Sequence, residues 1–141
     1  MMMTKINLSN TTTIGSTRTR NKMTSKPFFE MTLPMPPSIN DYYGYANGRV
    51  YVKGDGKRYK QAVKMLCRLN ATNYKGKIKG EFTFCFNDNR RNDLDNRFKA
   101  FFDALTKAEV WGDDCQVDEY TVKRGENVKG GQVMVRLWGI E

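Results

Sequence analysis

Between Gly80 and Lys107 the apolar residues change period once, and that change constrains the fold more than any other feature of the chain. "GEFTFCFND" alternates strictly, with Phe82, Phe84 and Phe86 on one side and Glu81, Thr83 and Cys85 on the other, the pattern of a strand with one buried face. From Asp95 to Lys107 the period becomes helical. Phe98, Phe101, Phe102 and Leu105 form an apolar face, and Ala100, Ala104 and Ala108 allow close packing. An aromatic-faced strand followed at once by such a helix predicts a sheet with the helix laid across it.

The flanking segments extend this plan. A short strand is expected near Phe28 to Leu33, stopped by Pro34, Pro36 and Pro37, which have no N–H to give a ladder. The loop "SINDYYGYANGRVYV" brings Tyr42, Tyr43 and Tyr45 near Arg49, and its Asn47-Gly48 pair is a hairpin-turn signal ahead of a short strand at Arg49 to Lys53. Asp55 is expected to cap a helix from about Lys57 to Asn73, with Tyr59, Ala62, Val63, Leu66 and Leu69 facing the core. "QVDEYTVKRG" and "QVMVRLWGI" are expected to close the chain as a hairpin through "ENVKGG". The sum is an α+β domain, a mixed and mostly antiparallel sheet with two main helices packed on it. With 141 residues in all, one such domain over residues 27–141 is expected. Residues 1–26 are rich in Thr, Ser and Asn and hold five cations and no acid, the composition of a disordered basic arm. The same composition loosely matches an organelle transit peptide, a less favoured alternative.

Charge then narrows the chemistry. Lys and Arg number 24 against 15 Asp and Glu, a net charge of +9. Residues 49–79 hold ten cations and only Asp55, whereas residues 103–119 hold six acids against Lys107. A basic block beside an acidic one suggests a polyanion-binding surface with a cation-binding spot in it. Lys57, Lys60, Lys64 and Arg68 fall at helical spacing on one face, a candidate for phosphate contact. The tyrosine-rich loop could stack on bases, and hairpin packing explains it equally well. There is no histidine, which removes the commonest general base and zinc ligand. Cys67, Cys85 and Cys115 are too far apart in sequence for a C-x-x-C pair, and a sparse odd count fits a reducing interior. No apolar run approaches the ~18 residues needed to span a bilayer.

"RRNDLDNRFK", residues 90–99, sets Asp93 and Asp95 two positions apart among cations. Within a helix the two would diverge, but on extended chain they share a side. The consistent arrangement ends the phenylalanine strand at Asp93 and makes Asp95 the helix N-cap, with Lys99 and Asp103 following at i+4 steps. The helix from Asp95 to Lys107 is about 18 Å long. The chain from Lys107 to Asp114 can span about 23 Å, enough to return Asp114 beside the first pair. Three carboxylates without histidine or thiolate select a hard cation, Mg²⁺ or Mn²⁺, and the chemistry of such an ion is phosphodiester hydrolysis by an activated water. Lys99 would steady the added negative charge of the transition state.

"DLDNRFKAFFDALTKAEVWGDDCQV" and "LPMPPSINDYYG" together resemble the RusA-type Holliday junction resolvases, whose pattern runs D-L-D-N, a lysine four residues after the second Asp, F-D-A-L, D-D-x-Q-V, and an earlier P-P-S-x-N loop. The likeness covers residues 29 to 138. It implies a small homodimeric, Mg²⁺-dependent endonuclease that resolves four-way DNA by paired symmetric nicks. The family's metal-binding acids fall on Asp93, Asp95 and Asp114 and its essential lysine on Lys99, with Asp113 and Asp103 as supporting acids. Asn40, Arg49, Lys57, Lys60, Lys64, Arg68, Arg90, Arg91 and Arg97 are the candidate DNA contacts. Two departures stand out: Asn92 replaces a basic residue or proline, and Glu109 replaces a frequent glycine at a helix C-terminus. A bacterial or phage-infected cytoplasm is the expected setting. The competing readings are a non-catalytic nucleic-acid-binding protein whose acids are caps and surface charge, and a nuclease of the same fold acting on flaps or other branched DNA.

Overall fold

The computed structural model describes residues 26–90 and 92–140, so the expected basic arm and Arg91 lie outside the described residues, residue 26 of the arm excepted. The phenylalanine strand is β4, Lys77–Cys85, and it lies inside a four-stranded sheet. Its neighbours are β6 (Gln132–Ile140), which runs antiparallel to it, and β5 (Val117–Arg124), which runs parallel. The first strand, β1 (Phe29–Pro34), pairs antiparallel with β6 and completes the order β1-β6-β4-β5. A separate two-stranded hairpin, β2 (Tyr43–Ala46) with β3 (Arg49–Val52), is closed by Asn47 and Gly48 at φ 53° and 73°. Positive φ at both central residues is what the Asn-Gly signal demands.

Helix α1 is a single turn, Ile39–Tyr42, that follows the prolines; α2 covers Gly54–Cys67 and α3 covers Phe98–Lys107. The last two cover one face of the sheet. Phe82, Phe84, Val133, Val135 and Leu137 of the sheet meet Val63 and Cys67 of α2 and Phe101, Ala104 and Leu105 of α3, all buried. Burying each large side chain of this kind contributes about 1.5–3 kcal/mol. Phe82 lies edge-on to Phe101 at 5.4 Å, and this pair joins β4 to α3 as the change of period predicts.

Three expectations are corrected. The closing strands are not a hairpin: β5 joins β4, and β6 inserts between β4 and β1. The segment after β5 crosses the end of β4, where the Gly125 amide donates to Phe84 O and that of Val128 to Phe86 O, both at 2.9 Å. Since α3 delivers β5 to β4 as a strand-helix-strand crossover, the pair must be parallel, and the crossing places β6 on β4's other edge. In α2, the buried stripe is Gly56, Tyr59, Val63 and Cys67, while Ala62 is exposed, Leu66 is 49 % exposed and Leu69, 88 % exposed, lies beyond the end of the helix. Ala62 and Leu66 share a line about 90° around the helix from the core-facing one. This helix also starts earlier and stops sooner than expected, with Asp55 inside its first turn and paired to Arg58. Finally, α3 is preceded by a 3-10 turn, Leu94–Arg97, so Asp95 is not a helix N-cap.

Candidate active site

Beyond β4 the chain continues through buried Phe86, whose ring lies beneath the guanidinium groups of Arg97 (5.5 Å) and Arg124 (5.0 Å). The loop then reaches Asp93, which is extended (φ −87°, ψ 130°) and starts the 3-10 turn that carries Asp95. The extended chain expected at Asp93 is present, a loop's length beyond the strand end. Both carboxylates are exposed, and among the described residues neither makes a hydrogen bond or an ion pair through its side chain. Asp93 occupies the capping position without making a capping bond, so the reading of these acids as helix caps loses its support. Asn92 holds the loop in place. Its Oδ1 accepts from Arg97 at 3.1 Å and its backbone carbonyl accepts from Arg124 at 2.8 Å. The departure from the family pattern at this position therefore ties Arg97 to the loop, while the bond from Arg124 is to the backbone and does not depend on the side chain.

Lys99, in the first turn of α3, pairs with Asp103 one turn later at 3.2 Å, and the other Asp103 oxygen accepts the Tyr42 hydroxyl at 2.7 Å. The hydrogen bond that Lys99 donates to Asp103 is the main cause of its raised pKa, with Asp114 adding to it through space. Lys99 thus stays an ammonium that faces both Asp103 and the acid loop.

How Asp114 reaches this side can be followed bond by bond. Helix α3 ends with Glu109 at φ 61°, the amide of Glu109 returning to Thr106 O (3.0 Å) and that of Val110 to Leu105 O (3.1 Å). This is a Schellman closure, with Val110 and Leu105 both buried beneath it. The next residues are pinned to the segment after α2, where Asn73 and Tyr74 donate to the carbonyls of Glu109 and Val110 at 2.7 and 3.2 Å. Gln116 fastens the rest. Its Oε1 accepts the amides of Gly112 (2.8 Å) and Asp113 (2.9 Å), and its Nε2 donates to the carbonyls of Tyr74 (2.9 Å) and Gly76 (2.7 Å). Asp113 caps the short 3-10 turn Asp114–Gln116, which packs against α3.

The two acids of this loop titrate in opposite directions. The Cys115 amide, then the Asp114 side chain, hold Asp113 below the usual carboxylate range. Burial, then Asp113, push Asp114 up, and Lys99 opposes the rise. Asp113 also pushes the exposed Cys115 thiol up, away from nucleophilic character. The surroundings of Asp114 thus disfavour its charged form, and a nearby cation would favour it. Every donor in the constellation is a carboxylate oxygen, which fits Mg²⁺ or Mn²⁺. Among the described residues, however, no three acidic or thiol side chains are gathered closely enough to hold an ion. Asp114 lies within electrostatic reach of Lys99 and Asp103, while Asp93 and Asp95 lie at the 3-10 turn that precedes α3.

Two open clefts meet at Asn92 and Asp93. One, of about 360 Å³, lies against the proline loop and is lined by Ser38, Asn40, Asn96 and Arg97; the other, of about 340 Å³, is lined by Asp88, Asn89, Arg90, Arg124 and Asn127. The remaining cations spread outward from there. Arg49 is exposed on the hairpin beside Tyr45 and Tyr51, and Lys57, Lys64 and Arg68 are exposed along α2, while Lys60 caps the Tyr42 ring. Arg90 is exposed and paired with Asp88 at 3.0 Å. Arg97 is engaged internally, donating to Pro36 O at 2.7 Å, and burial pushes its guanidinium below the ordinary value. Sequence reasoning had not singled out Tyr42 as a partner of Asp103, nor Gln116, nor Arg124. Only Gln116 carried a local signal, as the third residue after an acid that opens a turn.

Residues 34–137 match the family model described as endodeoxyribonuclease RusA. The chain belongs to the RusA endodeoxyribonuclease family. It is 42 % identical over 112 residues to the crossover junction endodeoxyribonuclease RusA of Escherichia coli K12, a match covering 77 % of this chain and 92 % of that relative. The protein of the same name from Shigella sonnei is 41 % identical over 112 residues, and that of Enterobacteria phage 82 is 38 % identical over 111, with the same coverage. As a RusA-family protein the chain is an endonuclease, a hydrolase of DNA phosphodiester bonds. The RusA match spans the proline loop, α2, the Asp93 turn, α3 and the Asp114 loop, so every element that builds the site lies inside it.

Proposed function

We propose that this endonuclease resolves four-way (Holliday) DNA junctions in recombination and repair by nicking two opposed strands symmetrically. The observation that carries the reading is the pair of exposed, uncommitted carboxylates at Asp93, where two clefts meet, and Asp95, one helical turn before Lys99. Asp93, Asp95 and Asp114 would hold Mg²⁺ or Mn²⁺, with Asp113 fixing the loop that presents Asp114. When bound, the ion supplies Lewis acidity at the scissile phosphate and acidifies water in its shell. The chain's own contribution is to align the strand and to neutralise charge. Lys99, kept protonated by Asp103, would offset the negative charge that the phosphorane-like transition state gains. Arg90 and Arg124 beside one cleft, and Asn40 with the half-buried Arg97 beside the other, would guide the backbone on either side of the cut, with Arg91 a further candidate contact from its sequence. Lys57, Lys60, Lys64, Arg68 and Arg49 would add salt-sensitive affinity, and the exposed Tyr45 and Tyr51 could stack on splayed bases.

A two-fold homodimer would present two such sites to opposing strands, matching the symmetry of the junction. No helix among the described residues is long and apolar enough to cross a membrane, and the relatives are bacterial and phage proteins, which supports a cytoplasmic setting. The decisive experiment compares labelled four-way, flap and linear duplex substrates with and without Mg²⁺, using wild type and Asp95→Asn. The variant is expected to bind the four-way junction and leave it uncut. Metal-independent cleavage, or unchanged cutting by Asp95→Asn, would remove the assignment, and preference for flaps would reassign the substrate.

A further inference from the structure

Behind Lys99 lies a buried hydroxyl that the proposed chemistry leaves unused. Tyr42 ends α1, directly after the proline loop, and its side chain is fully buried at 0 % exposure. Its ring meets Tyr43 edge-on at 4.9 Å, lies under the Lys60 ammonium at 5.5 Å, and presses on α2 where Gly56 leaves room. A Cβ at Gly56 would stand 2.6 Å from Tyr42 Cδ1, so only glycine admits the ring there without a shift. The hydroxyl donates to Asp103 Oδ2 at 2.7 Å, and Oδ1 of the same carboxylate takes the Lys99 ammonium at 3.2 Å. Burial, then the bond to Asp103, push the phenol far above its ordinary range, which keeps the proton on the donor.

We infer that Tyr42 is a positioning residue for the strand-cutting reaction: by fixing the Asp103 carboxylate it holds the Lys99 ammonium on the side of α3 that faces Asp114 and the Asp93–Asp95 turn. The inference rests on the nuclease reading above. Lys99 has about half its side chain exposed (48 %) and on its own would sample many rotamers. Asp103 can restrain it only if its own side chain is fixed, and a hydrogen bond from an immovable ring provides that. The relay also gives the P-P-S-I-N-D-Y loop a second purpose. One end lines the cleft through Ser38 and Asn40, and the other supports the lysine from behind.

Tyr42→Phe removes one oxygen and keeps the ring's packing, so it separates the relay from the fold. Expected results are a fall in kcat for four-way junction nicking of about tenfold, with KM and junction affinity unchanged. In the DNA-free protein the NMR order parameter of the Lys99 terminal methylene should fall as well. In a Lys99→Met background, which lacks the group being positioned, adding Tyr42→Phe should change neither the residual nicking rate nor its substrate preference. Full kcat in Tyr42→Phe together with an equally ordered Lys99 methylene overturns the inference. So does an additive loss in the double variant, which would mean general loosening. If wild type fails to nick four-way DNA at all, the junction reading falls, while the order-parameter comparison still decides whether Tyr42 holds Lys99.

Discussion

Replacing Glu109 by glycine should stabilise this protein, and the size of the gain follows from the turn it occupies. Glu109 sits at φ 61°, where a side chain's Cβ crowds the backbone at a cost of about 1–2 kcal/mol that glycine escapes. Glycine in turn raises the entropy of the unfolded chain, which returns about 0.5–1 kcal/mol. The bonds that define the turn are made by the backbone and survive the change: Glu109 N–H to Thr106 O, Val110 N–H to Leu105 O, and Asn73 N–H to Glu109 O. The exposed Glu109 side chain makes no hydrogen bond or ion pair among the described residues, so nothing is lost with it. The net expectation is a gain of about 0.5–1 kcal/mol, or roughly 2–5 °C in melting temperature for a domain of this size. Thermal melts of Glu109→Gly, Glu109→Ala and Glu109→Val check it. Alanine should be close to neutral, since it removes the same side chain and keeps the left-handed backbone, and valine should be worse than either. A glycine variant no more stable than the alanine one would refute the claim that this turn is strained.

Two further predictions concern the acid loop. Gln116→Ala removes four hydrogen bonds at about 0.5–1.5 kcal/mol each, discounted for partial exposure, and should cost about 2–3 kcal/mol in urea unfolding while nicking falls more than junction binding. Asp114→Asn should abolish nicking yet raise the melting temperature near neutral pH. A carboxyl whose folded pKa lies above its unfolded value destabilises the fold wherever it is ionised, and that penalty fades as pH falls through the folded pKa toward the unfolded one. The stability difference between Asp114→Asn and wild type should therefore shrink in acid, and a difference that is flat with pH would contradict the assigned cause.

What could be read before any coordinates depended on whether the signal was local. The period change at residues 80–107 is local, and the aromatic face of β4, the identity of α3 and the packing of one on the other follow from it. The Asn47-Gly48 turn is local too. The extended chain at Asp93 was legible because two acids two positions apart can cooperate only there, whereas reach allows a return of Asp114 beside Asp93 and Asp95 without fixing the path the chain takes. Strand pairing was not. "QVDEYTVKRG" and "QVMVRLWGI" are close in sequence and each alternates, so nothing in either reveals that β4 has two free edges and takes one strand on each. Leu66 was misplaced because helical spacing fixes which residues share a line and not which line faces inward, and Leu69 because the helix stops at Cys67. The Tyr42–Asp103 bond joins residues far apart in sequence, and a tyrosine in a loop carries no mark of the carboxylate it will meet.

The parallel pairing of β4 with β5 has a consequence for how the enzyme comes into being. An antiparallel partner could be reached through a tight turn, but a parallel one must await the formation and docking of α3, so this contact is among the non-local steps that slow folding. Asp93 and Asp95 stand at the entrance of that crossover and Asp114 at its exit. A collapsed chain that has formed its hairpin and its outer strands but not closed the crossover would hold these acids apart. On the proposed site, strand cutting would then depend on completed folding, because only the closed crossover fixes where its entrance and exit stand relative to each other.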